Sequence, residues 1–135
     1  MKEMVYKAEW NHELDILDRG FYNGYEYLVV SVGVHPCAYV AIAKGQPYYE
    51  CSDYDDFKIN CHGGCTFIKW GYPNVFSHDL KVIGWDYGHC GDFSGFYKSR
   101  ISKQFKKWTT AEIVEECKKV IDSLYVLEHG ELFYA

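Results

Sequence analysis

The stretch from Thr109 to Gly130 limits the fold more than any other part of the chain. Ile113, Cys117, Val120, Ile121 and Leu124 recur at helical spacing, while Glu115, Glu116, Lys118, Lys119 and Asp122 fall on other faces. Thr109 and Glu112 stand in the relation of a capping box, Trp108 and Ile113 in that of a hydrophobic staple, and Gly130 is placed to end the helix. The pattern predicts one amphipathic helix. Its apolar stripe needs a second layer to cover it.

That layer is supplied upstream, where the pattern is β. Tyr25 to Val34 is rich in aromatic and β-branched residues, and Cys37 to Ala43 follows the turn at His35-Pro36, so the two predict a hairpin. Cys65 to Trp70 and Leu80 to Trp85 predict two more strands, separated by a loop containing Gly71, Pro73 and Asn74, and Met4 to Trp10 predicts another. Thirteen Tyr, eight Phe and four Trp suit half-buried sheet faces and stacking surfaces equally. Strands first and one long helix last predict an α+β fold, an antiparallel β-sheet with one long C-terminal helix packed on a face. A chain of 135 residues without repeat, linker or low-complexity tract fits a single domain, 1–135.

Charge and cysteine content narrow the function classes. A net charge of −5 argues against binding extended nucleic acid with the whole surface. The charges are segregated, however. Glu50, Asp53, Asp55 and Asp56 form an acidic cluster, and Lys98, Arg100, Lys103, Lys106 and Lys107 a basic stretch around Phe96, Ile101 and Phe105. A solvated face would have the same composition. The apolar runs are too short to span a bilayer, and the N-terminal residues lack the apolar core of a signal peptide, so no membrane partner and a cytoplasmic location are expected. In that compartment the six cysteines stay reduced, and Cys117 and Cys37 read as small buried hydrophobes.

The residues that carry chemistry concentrate in two glycine-rich passages. Asn60-Cys61-His62-Gly63-Gly64-Cys65-Thr66 precedes one predicted strand, and Gly84-Trp85-Asp86-Tyr87-Gly88-His89-Cys90-Gly91-Asp92 follows another. Paired strands would bring His62, Asp86, His89 and Asp92 to neighbouring strand ends, and the glycines permit close backbone approach to a ligand. Three readings compete. A metal could be held by Cys61, His62, Cys65, His89 and Cys90, or a harder cation by Asp86, His89 and Asp92, although Cys-x-x-x-Cys without a second pair is a weak signal. Acid–base chemistry could use His62 or His89 oriented by Asp86 or Asp92, with Cys61 or Cys90 as a nucleophile. Binding without turnover could use the imidazoles, carboxylates and aromatics on a base or ribose and the basic stretch on phosphates. Against all three stands the plain alternative that these residues only satisfy turns, the default also for His12, His35, His78 and His129.

The His62-Gly63-Gly64-Cys65-Thr66 passage, followed by Gly84-Trp85-Asp86-Tyr87-Gly88-His89-Cys90-Gly91-Asp92 and a C-terminal helix, resembles a family of small proteins from tailed phages and prophages. The resemblance spans roughly the C-terminal half. The resembled pattern fixes His62, Asp86, His89 and Asp92 but not the cysteines, which weighs against a cysteine-bound zinc, and neither metal nor cofactor is expected. Its phage setting implies the infected cell's cytoplasm and an anti-defence role. The expectation is a protein that binds and sequesters a small phosphorylated, nucleotide-derived immune signal through His62, Gly63, Gly64, Thr66, Trp85, Asp86, His89, Asp92, Lys98 and Arg100. A small hydrolase or phosphoesterase acting on such a ligand, or a protein-binding inhibitor of a host defence enzyme, are the alternatives. A host defence protein and a second copy of the chain, as a homo-oligomer, stay open as partners.

Overall fold

A computed structural model describes residues 3–7, 13–33, 35–89, 92 and 106–129. Six strands, β1 (Glu3–Lys7), β2 (Glu13–Tyr22), β3 (Tyr25–Ser31), β4 (Pro36–Ile42), β5 (Phe67–Tyr72) and β6 (Phe76–Asp86), precede one helix, α1 (Thr110–His129). The sheet is antiparallel throughout, in the order β1-β2-β3-β4-β6-β5. The expected α+β architecture is therefore present, and the expected strand pairs β3/β4 and β5/β6 are neighbours. Of the Met4 to Trp10 expectation, the part to Lys7 is strand, and Ala8 to Trp10 lie outside the described residues.

β2 is the element the sequence reading left out. It pairs with both β1 and β3, and the hairpin to β3 turns on Asn23 and Gly24 at φ 46° and 90°. Positive φ at both central positions is the demand of a type I′ turn, which Asn-Gly meets at low steric cost. A register shift between Ile16 and Asp18 breaks the two-residue alternation that would have revealed the strand.

Alternation along the central strands sorts side chains onto two faces. Tyr25, Tyr27 and Val29 of β3, Val40 and Ile42 of β4, and Ile83 and Trp85 of β6 pack with Ile113, Cys117, Val120, Ile121 and Leu124 of α1. Those five helix positions are the predicted stripe, and all are buried. The opposite face buries Leu28, Val30, Tyr39, Ala41 and Val82 in a second cluster. Burial on both faces explains why the central strands read as nearly continuous apolar runs. The helix start is built as the capping box requires. The Thr109 N–H donates to Glu112 Oε1 at 3.0 Å, and the Glu112 N–H donates to Thr109 Oγ1 at 3.2 Å. Gly130, expected to end the helix, lies outside the described residues.

Ile121 is fully buried between helix and sheet, so Ile121→Ala should destabilise the protein by about 2–5 kcal/mol. Chemical denaturation should show this as a lower midpoint at unchanged slope; an unchanged midpoint would mean that this face does not carry the core.

Candidate functional site

The β5–β6 pairing brings the two glycine-rich passages side by side. Phe67 is paired with Gly84, and the Thr66 N–H donates to the Gly84 carbonyl at 2.9 Å, which carries the alignment back toward His62. The Cys61 carbonyl accepts the Gly64 N–H at 2.9 Å and closes a tight turn that presents His62. Beyond β6, the Asp92 N–H donates to the His89 carbonyl at 2.9 Å, and Asp92 bridges to Lys106 just before α1.

Asp92 is the hub. It is only 4% exposed, and its carboxylate receives three N–H groups. His62 Nε2 lies 2.7 Å from Oδ2, the His89 N–H donates to Oδ2 at 3.1 Å, and Trp108 Nε1 donates to Oδ1 at 2.8 Å. Burial by itself would raise this carboxyl's pKa, but the bonds from His62, Trp108 and His89 outweigh it and hold it below its ordinary range. An ionised acceptor at Oδ2 requires a proton on His62 Nε2, which leaves Nδ1 as the nitrogen for other chemistry.

Aromatic rings fix the His62 imidazole from two sides. It stacks on Tyr87, with centroids 4.6 Å apart and planes 7° apart, and meets Trp108 edge-on at 4.9 Å. Tyr87 is itself locked to the helix. Its hydroxyl donates to Glu116 Oε1 at 2.6 Å and accepts Trp85 Nε1 at 3.0 Å. Burial and the Glu116 carboxylate both push the phenol's pKa upward, so Tyr87 stays a neutral donor.

A second imidazole stands next to the first. The His89 and His62 rings are 5.9 Å apart, and His89 Nε2 is 3.3 Å from Asp86 Oδ1. That approach is too poorly aligned for a hydrogen bond, and the buried His89 Nε2 has no such partner among the described residues. Asp86 is occupied elsewhere, accepting the Gly88 N–H at Oδ1 (3.0 Å) and the Thr66 hydroxyl at Oδ2 (3.3 Å). His62, His89 and Asp86 keep 24%, 35% and 28% of their side-chain surface open, so these three can meet a ligand where Asp92 cannot.

Gly63 shows how closely the cluster is fitted. With φ 69°, it sits so near His89 that an added Cβ would fall 2.2 Å from Nε2, whereas a Cβ on Gly64, at φ 84°, would meet nothing within 4 Å.

His62, Gly63, Thr66, Asp86, His89 and Asp92 are thus brought together, with Gly64 on the same turn. Trp85 is a correction. It was expected to contact a ligand, but it is 1% exposed, because β6 alternation turns it with Ile83 toward the helix. Lys98, Arg100 and Lys103 of the basic stretch lie outside the described residues, as does Cys90. The residues that sequence reasoning missed are Tyr87 and Glu116 and, beyond its staple role, Trp108. Cys61 and Cys65 make poor nucleophiles, since burial pushes the Cys61 thiol up to about 12 and raises Cys65 as well. No group of three or more His, Cys, Asp or Glu is arranged to hold a metal ion among the described residues. None of the described helices is long and apolar enough to cross a membrane.

Two outcomes follow from this geometry. A carboxyl with a lowered folded pKa contributes stability that is present above its unfolded value, near 3.8, and lost as pH falls through the lower folded value. Melting temperatures of wild type and Asp92→Asn should therefore differ most near neutral pH and converge in acid below about pH 4; a gap independent of pH would remove the ionised hub. Gly63→Ala and Gly64→Ala both carry left-handed strain of about 1–2 kcal/mol. Only Gly63→Ala should also displace His89, read as a change in its ring resonances by NMR, and equal spectra for the two variants would refute the fitted contact.

Compared with protein-family models, curated proteins and solved structures, the chain gives no significant match.

Proposed function

We propose that the chain binds a small phosphorylated, nucleotide-derived ligand at the His62–His89 cluster and holds it without turnover. In the phage setting that the paired motifs imply, this is an anti-defence protein sequestering an immune signal in the host cytoplasm. The observation that carries the reading is the pair of imidazoles 5.9 Å apart, one of them held by a buried carboxylate and two aromatic rings. Groups fixed before the ligand arrives lose little entropy on binding, which favours tight ground-state association. His89, or His62 once Nδ1 also carries a proton, can donate an imidazole N–H to a phosphate oxygen, and the exposed Thr66 hydroxyl, which donates to Asp86, can accept from a ribose hydroxyl. The high thiol pKa of Cys61 speaks against covalent turnover through that residue.

One observation favours a second reading, a small phosphoesterase. A carboxylate 2.7 Å from His62 Nε2 leaves Nδ1 oriented as a general base, with His89 as the complementary acid.

A binder and an enzyme differ in what they return. The protein is incubated with a panel of cyclic and linear nucleotides, then denatured, and the small molecules are analysed. Sequestration predicts intact ligand at one equivalent per site, weakened by salt and lost in a His89→Ala variant that melts close to the wild type; His62→Ala, which also takes a donor from the buried Asp92, should lose the ligand and melt lower. Catalytic amounts of protein converting excess nucleotide to product would instead establish the phosphoesterase. If no nucleotide is retained or converted, a protein-binding inhibitor of a host enzyme replaces both readings.

A further inference from the structure

The turn that presents His62 has a second side. Cys61, Gly64 and Cys65 line a cavity of about 600 Å³, whose other walls include Tyr54, Phe57 and Asn60. The cavity and the histidine cluster therefore share one wall, the closed turn Cys61–Gly64. Gly64 leaves its side open, since a Cβ there would meet nothing within 4 Å.

The lining is ordered for a planar, uncharged group. Phe57 is buried in the helix-side core and packs on Tyr48 at 5.0 Å between centroids, giving the cavity a fixed apolar floor. Tyr54, on a short 3-10 turn, is 46% exposed, so its ring is open to stacking. Asn60 is exposed and carries a donor and an acceptor on one amide, the pairing that reads the edge of a base. Lys58 lines the cavity, and Glu50, Asp53 and Asp56 are exposed on the loop that leads into it, so the charge along that loop is mostly negative and disfavours a phosphate there.

We propose that this cavity is the nucleoside subsite of the ligand site, with Tyr54 stacking on the base, Asn60 reading its edge, and the phosphate directed away from the acidic loop toward His62 and His89. It rests on the proposed nucleotide-binding function and names which part of the ligand goes where. Tyr54 and Asn60 then set base preference, and the histidines supply phosphate affinity.

The test treats the two halves separately, by NMR titration of the full chain with adenosine, guanosine, cytidine and uridine and, independently, with inorganic phosphate. At least one nucleoside should shift the amides of Tyr54, Asn60 and Gly64, and phosphate the ring signals of His62 and His89. Tyr54→Ala should weaken the nucleoside by about ten-fold or more while leaving the phosphate response unchanged. Asn60→Ala should flatten the preference among the four bases. Nucleosides that leave the cavity amides unmoved, or that bind both variants as they bind wild type, overturn the subsite, whatever phosphate does. Nucleosides bound at the cavity with no phosphate response at His62 or His89 support the subsite and remove the phosphate role of the histidines. Silence from all five probes ends the subsite and the nucleotide reading together.

Discussion

A carboxylate removed from water must find donors inside the protein, and Asp92 finds them in three separate parts of the chain. His62 comes from the turn before β5, His89 from the passage after β6, and Trp108 from the approach to α1. Each bond to an ionised acceptor is stronger than a neutral one, and together they offset the cost of burying the charge. The turn, the strand end and the helix entry are thereby fixed against one another. Remove the charge, and three N–H groups compete for an acceptor that no longer repays their desolvation.

The helix takes part in this fixation through its polar residues as well as its apolar stripe. Glu116 lies one turn from Ile113 and accepts the Tyr87 hydroxyl, whose ring supports the His62 imidazole. Lys106 connects the same region from outside, 2.7 Å from Glu112 Oε2 and 4.5 Å from the centre of the Trp108 ring. Lys106 and the Thr109 N–H hold the Glu112 carboxyl down to about 2, which keeps the capping box charged over the ordinary pH range. Helix capping, core packing and site geometry are consequently one connected structure. A similar economy occurs at the other end of the sheet, where Lys81, 2% exposed, places its ammonium 4.1 Å from the centre of the Trp70 ring.

Several elements were legible because local chemistry and global packing agree in them. Thr109 and Glu112 announce the helix start, and the stripe from Ile113 to Leu124 announces its buried face, because both depend on spacing within one segment. β2 was not legible by alternation, since its charged residues and the shift near Ile16 interrupt the period. Asn23-Gly24 was the signal that could have found it. Trp85 was misplaced for a related reason. An aromatic residue beside Asp86 has the composition of a ligand contact, but strand parity decides which way it points, and parity is set by pairing with β4 and β5.

The sequence by itself determined the helix, most of the strands before it, and the two short passages in which histidines, carboxylates and glycines are concentrated. Each is a property of neighbours along the chain, whose spacing and turn chemistry act over a few residues. Only the tertiary structure decided that Asp92 faces inward as an acceptor while Asp86 stays partly open, that His62 rests on Tyr87 and Trp108, and that Gly63 is pressed against His89. These are contacts between residues far apart along the chain, thirty positions for His62 and Asp92 and forty-six for His62 and Trp108. Nothing in their local sequence specifies the distance between them. It is fixed by the antiparallel register of β5 on β6 and by the packing of α1 across the sheet.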